Sequence, residues 1–388
     1  MRKTPLILVA ALGGFTLWQA AQEGATHVQA LAIGLLAGLA LYHARFGFSA
    51  GWRRWVREGR GREVRAQILL IGLISAVSFP LIGYGEARGV VMPMGIASAF
   101  GAFLFGIGMQ AGGGCASGTL YTAGGGSTRM VLVLIAFMAG SVWATYHWPF
   151  WAFLPRSGGV SVITALGWPA ALAAMLGVLG ALWVFSVWRE RRRCGGLEAT
   201  GLSDPAKASL AQRLFCGPWS IWAGAGALAV VGVLWFALLG GPWGVTYGFA
   251  VWGAQAADAM GLEPGALAYW QGWRQGDLQG GLLSSRTNAS NVGILLGALA
   301  AAGLAGRFAP IWHLSLRDVA TAIAGGLMMG YGARLAYGCN IGAFLGGLTS
   351  GSLHGLWWLG WGFAGSLLGI RLRGLLAMDP PRQAKGAF

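Results

Sequence analysis

Ala111-Gly-Gly-Gly-Cys-Ala-Ser-Gly118 and, far down the chain, Tyr337-Gly-Cys-Asn-Ile-Gly342 are the stretches on which the fold turns. Each follows a Gly-x-Gly pair, Gly106-Ile-Gly108 and Gly330-Tyr-Gly332, so both fit the pattern GxGxxxxxGCxxG. A second glycine and hydroxyl cluster comes after each, Gly124-Gly-Gly-Ser127 and Gly346-Gly-Leu-Thr-Ser-Gly-Ser352. A single offset without gaps aligns Gly101 with Gly325, Gly106 with Gly330, Gly108 with Gly332, Gly114 with Gly338 and Gly118 with Gly342. The chain reads as a duplicated unit with a thiol, Cys115 or Cys339, at the matching point of each half.

The surroundings of these stretches are those of a membrane protein. Of 388 residues, 56% are apolar and 10% charged, and the mean hydropathy is +0.61. That leaves too few polar side chains to cover a water-facing surface. Apolar runs long enough to cross about 30 Å of hydrocarbon as helices lie at 4–20, 27–44, 66–84, 92–111, 128–147, 162–188, 218–241, 287–306, 316–337 and 353–373. A shorter run at 243–260, interrupted by Gln255 and Asp258, reads as a half helix. The first run follows Met-Arg-Lys but lacks a small-residue cleavage site before Glu23 and His27, so it is expected to stay as an anchored helix. The expected fold is an all-α polytopic membrane domain over 1–388, with a first half 1–188, a basic cytoplasmic linker 189–217 and a second half 218–388.

The formal charge of +15 sits in blocks between the runs: Arg45, Arg53, Arg54, Arg57, Arg60, Arg62 and Arg65, then Arg189, Arg191, Arg192, Arg193, Lys207 and Arg213. Such blocks mark cytoplasmic loops and suit anionic membrane lipids; no nucleic-acid recognition fold can be assembled from these runs. If every run crossed, the tail bearing Arg371, Arg373, Arg382 and Lys385 would lie outside. Counting 243–260 as a half crossing brings the tail inside and makes the two repeats inverted. Cys194 and Cys216 flank the basic linker and are expected to be reduced, incidental thiols.

Unpaired backbone amides are not tolerated in hydrocarbon, so glycine-rich backbone at membrane depth is buried in protein or lines a polar cavity. Gly112, Gly113, Gly114 and Gly338 crowd against a cysteine and predict a re-entrant loop opening into a short helix, whose free N–H groups favour an anion. For Gly101, Gly106, Gly325 and Gly330 the expected role is close helix packing. A lone buried cysteine is usually a small hydrophobe. Two at matching points of a repeat instead suggest a wet passage along which a weak thiol donor and soft sulfur hand on a sulfur-bearing solute. Ser117, Gly118, Thr119, Tyr121 and Ser127 in the first half, and Asn340, Gly342, Thr349, Ser350 and Ser352 in the second, supply polar neighbours; Ser127 and Ser352 are also placed as helix caps. Arg334 is a cation well inside an apolar run, where an ionisable group is by default functional. Its counterpart is Gln110, and no acid lies within a helical turn, leaving a solute anion, a backbone carbonyl or a snorkelled position as its partner. The histidines are scattered without metal-ligand spacing, and Trp148–Trp151 and Trp357-Trp358 fit interfacial belts. No catalytic, metal or cofactor role is assigned.

At Phe103-Leu-Phe-Gly-Ile-Gly-Met-Gln-Ala-Gly-Gly-Gly-Cys-Ala-Ser-Gly-Thr-Leu120, at Leu327-Met-Met-Gly-Tyr-Gly-Ala-Arg-Leu-Ala-Tyr-Gly-Cys-Asn-Ile-Gly-Ala343, and at Ser350-Gly-Ser-Leu-His-Gly-Leu-Trp357, the chain resembles the YeeE/YedE family of bacterial inner-membrane proteins, transporters of thiosulfate and related sulfur compounds. The resemblance implies an hourglass-like helical fold whose loops meet near the membrane centre, with thiosulfate passing between Cys115 and Cys339. A third cysteine of many members falls near Phe46-Gly-Phe-Ser-Ala-Gly51, where Ser49 stands instead. It also implies a small cytoplasmic sulfur-carrier protein as a partner. The alternatives are a membrane-bound sulfurtransferase that uses a cysteine persulfide, and a transporter of a selenium or other sulfur compound.

Overall fold

Each apolar run long enough to cross hydrocarbon contains a helix. The computed structural model describes residues 3–198, 209–308, 310 and 312–378. Its first part comprises α1 (Lys3–Glu23), α2 (Ala25–Ala44), α3 (Phe48–Glu58), α4 (Arg62–Gly83), α5 (Ile96–Gly112), α6 (Ala116–Gly124), α7 (Thr128–Tyr146), α8 (Trp148–Phe153), α9 (Val162–Leu166) and α10 (Trp168–Cys194). The second comprises α11 (Leu210–Cys216), α12 (Ile221–Leu239), α13 (Thr246–Ala259), α14 (Trp273–Gln279), α15 (Arg286–Leu304), α16 (Leu316–Leu335), α17 (Gly346–Thr349) and α18 (Leu353–Leu375). Among the described residues, eight helical stretches have the length and apolarity to cross a bilayer. This is a multi-pass membrane protein.

Helices α16 and α18 are 20 and 23 residues long but are diluted by glycine and arginine. They pack against other helices, where greasiness is not required. Helix α13, at 14 residues, spans only about 21 Å, less than the thickness of the hydrocarbon core.

Three local departures have plain causes. The run 162–188 is broken at Gly167 (φ 76°), after which Pro169 in the first turn starts α10. Helix α10 continues through the basic run to Cys194, so Arg189–Arg193 are helical turns rather than open chain; Lys207, like Arg382 and Lys385, lies outside the described residues. A small antiparallel ribbon, β1 (Pro93–Gly95) with β2 (Arg156–Gly159), adds the one sheet found among the described residues.

Glycines set the core. A Cβ on Gly106 would overlap the carbonyl of Gly362, and one on Gly330 the carbonyl of Phe137. Gly365 faces Phe103, Gly369 faces Ile107, and Gly326 faces Val133. These contacts run α5 parallel to α18 and α7 parallel to α16. Across the seam between the pairs, Gly101 meets Gly332 while Gly108 meets Gly325, so α5 and α16 are antiparallel. Beside this core, Gly34 and Gly38 of α2 pack on Ser290 and Ile294 of α15, and those two helices run in the same direction.

Candidate functional site

The two cysteine stretches do the same thing locally. Gly113 (φ 89°) ends α5 in the left-handed region, which glycine enters without strain, and Cys115 takes the N-cap of α6. Gly112 is the last residue of α5 rather than part of the loop. In the other half Tyr337 (φ 59°) and Gly338 (φ 147°) turn the chain. Cys339 then caps a π-helical turn, Asn340–Leu345, that runs into α17; such π turns recur at functional sites. Helix α6 is nine residues long, about 13 Å, too short to cross.

Around Cys115, the Ser117 hydroxyl lies 3.5 Å from Sγ and Thr119 donates to the Cys115 carbonyl at 3.0 Å. Gly118 leaves room: a Cβ there would meet the Cys115 sulfur at 3.5 Å. Gly114 packs over the start of α6, near the Thr119 amide. Cys339 Sγ accepts the Ile341 N–H at 3.4 Å; Gly338 sits over the Ala343 amide and Gly342 faces Gly244. The side chain of Asn340 is 0% exposed, and among the described residues neither its oxygen nor its nitrogen has a hydrogen-bond partner. The Ser350 hydroxyl is in the same position.

Both thiols are sealed, at 1% and 0% exposure, inside the apolar core. The open wet passage read from the sequence is therefore closed here: Leu120, Ile341 and Phe344 belong to the same buried apolar cluster as the two thiols. Two arginine-bearing cavities lie at opposite ends of α2 and α15. One, of about 570 Å³, lies at the C-terminal ends of α2 and α15 and is lined by Arg45, Tyr121, Ser127, Arg129 and Arg307. The other, of about 600 Å³, lies at the N-terminal ends of the same helices and is lined by His27, Arg88, Trp235 and Arg286. Neither is lined by Cys115 or Cys339.

Two expected site residues have other company. Arg334 is 6% exposed and donates to Tyr269 Oη at 2.9 Å and Thr246 Oγ1 at 3.1 Å. Its partners are thus side-chain hydroxyls, not a carbonyl or a snorkelled position. Gln110, its counterpart, donates to the Ser49 carbonyl and to Ser366 Oγ, which places buried Ser49 on the first turn of α3. Ser127 and Ser352 occupy N-caps of α7 and α18, but neither hydroxyl caps; that of Ser352 meets His354 Nδ1 at 2.8 Å.

Sequence reasoning missed the residues that hold the two turns. Arg129 donates to the last carbonyls of α5, at Ala111 and Gly112, and to Thr321 Oγ1. Trp358, expected in an interfacial belt, is buried and donates its indole N–H to the Gly338 carbonyl at 3.3 Å. Helical spacing was the available signal for Trp358, which lies one turn past the polar-flanked start of α18; for Arg129 the repeat gave none, since its counterpart is Leu353.

Comparison with known proteins agrees in one direction. A family model described as sulphur transport matches residues 43–368. The chain is 26% identical over 371 residues to the thiosulfate transporter TsuA of Escherichia coli, covering 92% of this chain and 96% of that one. It is 26% identical over 345 residues to the thiosulfate transporter TsuA of Spirochaeta thermophila, covering 82% and 90%. Over 136 residues it is 34% identical to the probable transporter YedE of Salmonella typhimurium, a match that spans only 33% of that relative's length.

Proposed function

The chain belongs to the sulphur transport family, and from that premise we propose that it takes up thiosulfate, or a similar small sulfur oxyanion, across the bacterial inner membrane between Cys115 and Cys339. One observation carries the reading: two buried thiols each cap a short helical segment, and arginine-bearing cavities open at opposite ends of α2 and α15. The named relatives support the solute.

The two halves are inverted repeats whose short segments re-enter from opposite faces. The antiparallel seam between the matching helices α5 and α16, and the exchange of partners between α5–α18 and α7–α16, support this relation. The face bearing Arg45, Arg129 and Arg307 is then cytoplasmic, as the charge bias requires. An anion leaving water meets Arg88 and Arg286 first, then the sealed layer. There the backbone N–H groups at the starts of the short segments, with Gly113, Gly114, Gly118, Gly338 and Gly342 allowing close approach, replace part of its hydration shell. Ser117 and Asn340 add side-chain donors, Thr119 holds the turn through the Cys115 carbonyl, and Ser49 stands at the edge of the layer on α3. The S–H groups donate weakly to the terminal sulfur of the solute, so it binds and leaves. Arg334, with no carboxylate bonded to it among the described residues, supplies positive potential. Passage requires the packed layer to part. A small cytoplasmic carrier of sulfur fits the exit face, and anionic lipids fit its arginines.

Vesicles reconstituted with the purified chain and given labelled thiosulfate test this. Unchanged thiosulfate is expected inside, with uptake abolished by Cys115→Ala or Cys339→Ala while the protein stays folded. Full uptake in both variants would overturn the two-thiol passage; sulfite release with a covalent adduct on either cysteine would replace transport by sulfur transfer.

A further inference from the structure

A second recess backs onto the Cys339 segment from outside, in a wall of the protein that carries exposed apolar side chains. Helices α4, α10 and α18 enclose an apolar crevice of about 270 Å³, walled by Ile68, Ile71, Met175, Leu179 and Phe363. Its lips, Val178, Leu182 and Leu356, are exposed, so it opens sideways. Its floor is formed by Phe344 and Leu348, on the segment that begins at Cys339. The crevice is polar only at its basic end. There Gln67, 4% exposed, spends its oxygen on the Trp52 indole at 3.1 Å, and its amide nitrogen has no partner among the described residues. The buried Trp55 indole N–H beside it is likewise without one. One helical turn beyond the crevice wall, the Arg189 guanidinium lies 4.6 Å from the Trp55 ring centroid, and Arg192 stacks on Trp188.

We propose that this crevice binds one anionic phospholipid of the leaflet on the basic face, its acyl chain in the apolar slot and its phosphate at Arg189 and Arg192. Hydrocarbon walls without a partner atom in the bilayer are filled by lipid tails, and the mouth carries positive charge. Arg189 spends one N–H on the Trp55 carbonyl at 2.9 Å, and the nearby acids are paired elsewhere, Glu190 with Arg65 and Arg60 and Glu58 with Arg54, so among the described residues neither Arg189 nor Arg192 is shown with a carboxylate partner. The Gln67 amide and Trp55 indole supply donors for the ester oxygens just below the headgroup. Because the acyl chain would rest on Phe344, the lipid braces the Cys339 turn; that consequence, unlike the binding, rests on the transport reading.

The full chain is reconstituted in nanodiscs of equal phosphatidylglycerol and phosphatidylcholine, extracted gently, and its retained lipid weighed by native mass spectrometry. Retention of one phosphatidylglycerol in preference to phosphatidylcholine is expected. Arg189→Gln and Arg192→Gln should each reduce that preference about fivefold, the worth of one basic side chain at a lipid surface. Leu179→Trp, which fills the slot, should abolish retention of either lipid, and Met175→Phe serves if that variant does not fold. Equal retention of the two lipids, or retention unchanged by filling the slot, overturns the proposal. So does a change of oligomer mass in the filled variants, which would assign the crevice to a second copy. Uptake of thiosulfate, measured separately in vesicles with and without phosphatidylglycerol, distinguishes failure of the lipid site from failure of the transport reading.

Discussion

Asn340 is the most costly side chain in the sealed layer. A buried amide with neither end bonded gives up about 1–3 kcal/mol relative to a satisfied one, so replacing it by the near-isosteric leucine relieves the molecule of that burden. Asn340→Leu is therefore expected to raise the unfolding temperature in detergent while lowering uptake at least tenfold, the cost of losing one hydrogen bond to a charged solute of about 1.5–3 kcal/mol. A variant that gains stability and keeps uptake would remove Asn340 from the passage. The repeat pattern marked both cysteines as points where a turn opens into a short helical segment, because a local glycine-cysteine motif dictates its own turn. It could not reveal that the layer is shut, since Leu120 and Phe344 reach it from points that the motif does not contain. The partners of Arg334 were hidden for the same reason: Thr246 and Tyr269 arrive from distant segments.

Helices were legible where lipid demands apolar length, and the close-packing glycines where a small residue recurs on one face. Gly330 shows why that second signal is strong. Its ideal Cβ overlaps backbone rather than a yielding side chain, so Gly330→Ala must push α16 off α7. Overpacking of this kind costs about 1–3 kcal/mol, and a lowered unfolding temperature with reduced uptake is expected; an unchanged melting curve would show that the pair is looser than described. Trp358 poses a subtler element-level test. Phenylalanine keeps the ring but deletes the N–H to the Gly338 carbonyl, leaving that buried acceptor short of a partner. A loss of about 0.5–1.5 kcal/mol is expected in Trp358→Phe, and a silent substitution would mean that the turn holds itself. Neither Trp358 nor Arg129 was visible as a holder of turns, because aromatic and basic residues near helix starts look the same when they anchor to headgroups.

At the scale of the molecule, charge divides the two faces. The basic face is stitched by Glu190, which is fully buried and accepts from Arg65 at 2.7 Å and from the amides of Gly61 and Glu198, both at 3.0 Å. Glu190→Ala strands the Arg65 guanidinium, at a cost of about 3–5 kcal/mol, and Arg65→Met in the same chain should restore part of it; no recovery in the double variant would mean that the pair is not the source. Orientation can be read from the native thiols. Cys194 and Cys216 are half-buried near this face while Cys115 and Cys339 are sealed, so an impermeant maleimide should label the first two in inverted vesicles and not in right-side-out ones. The seam described earlier has one more implication, for biogenesis. Helix α7 leaves the ribosome long before α16, its parallel mate, has been made. At about 5–20 residues per second of synthesis, it waits in the bilayer for roughly ten to forty seconds with a small-residue groove uncovered. The nascent first half is thus a client for whatever shields unfinished helices beside the insertion machinery, and a gene cut between the halves should yield stable protein only when both fragments are made together.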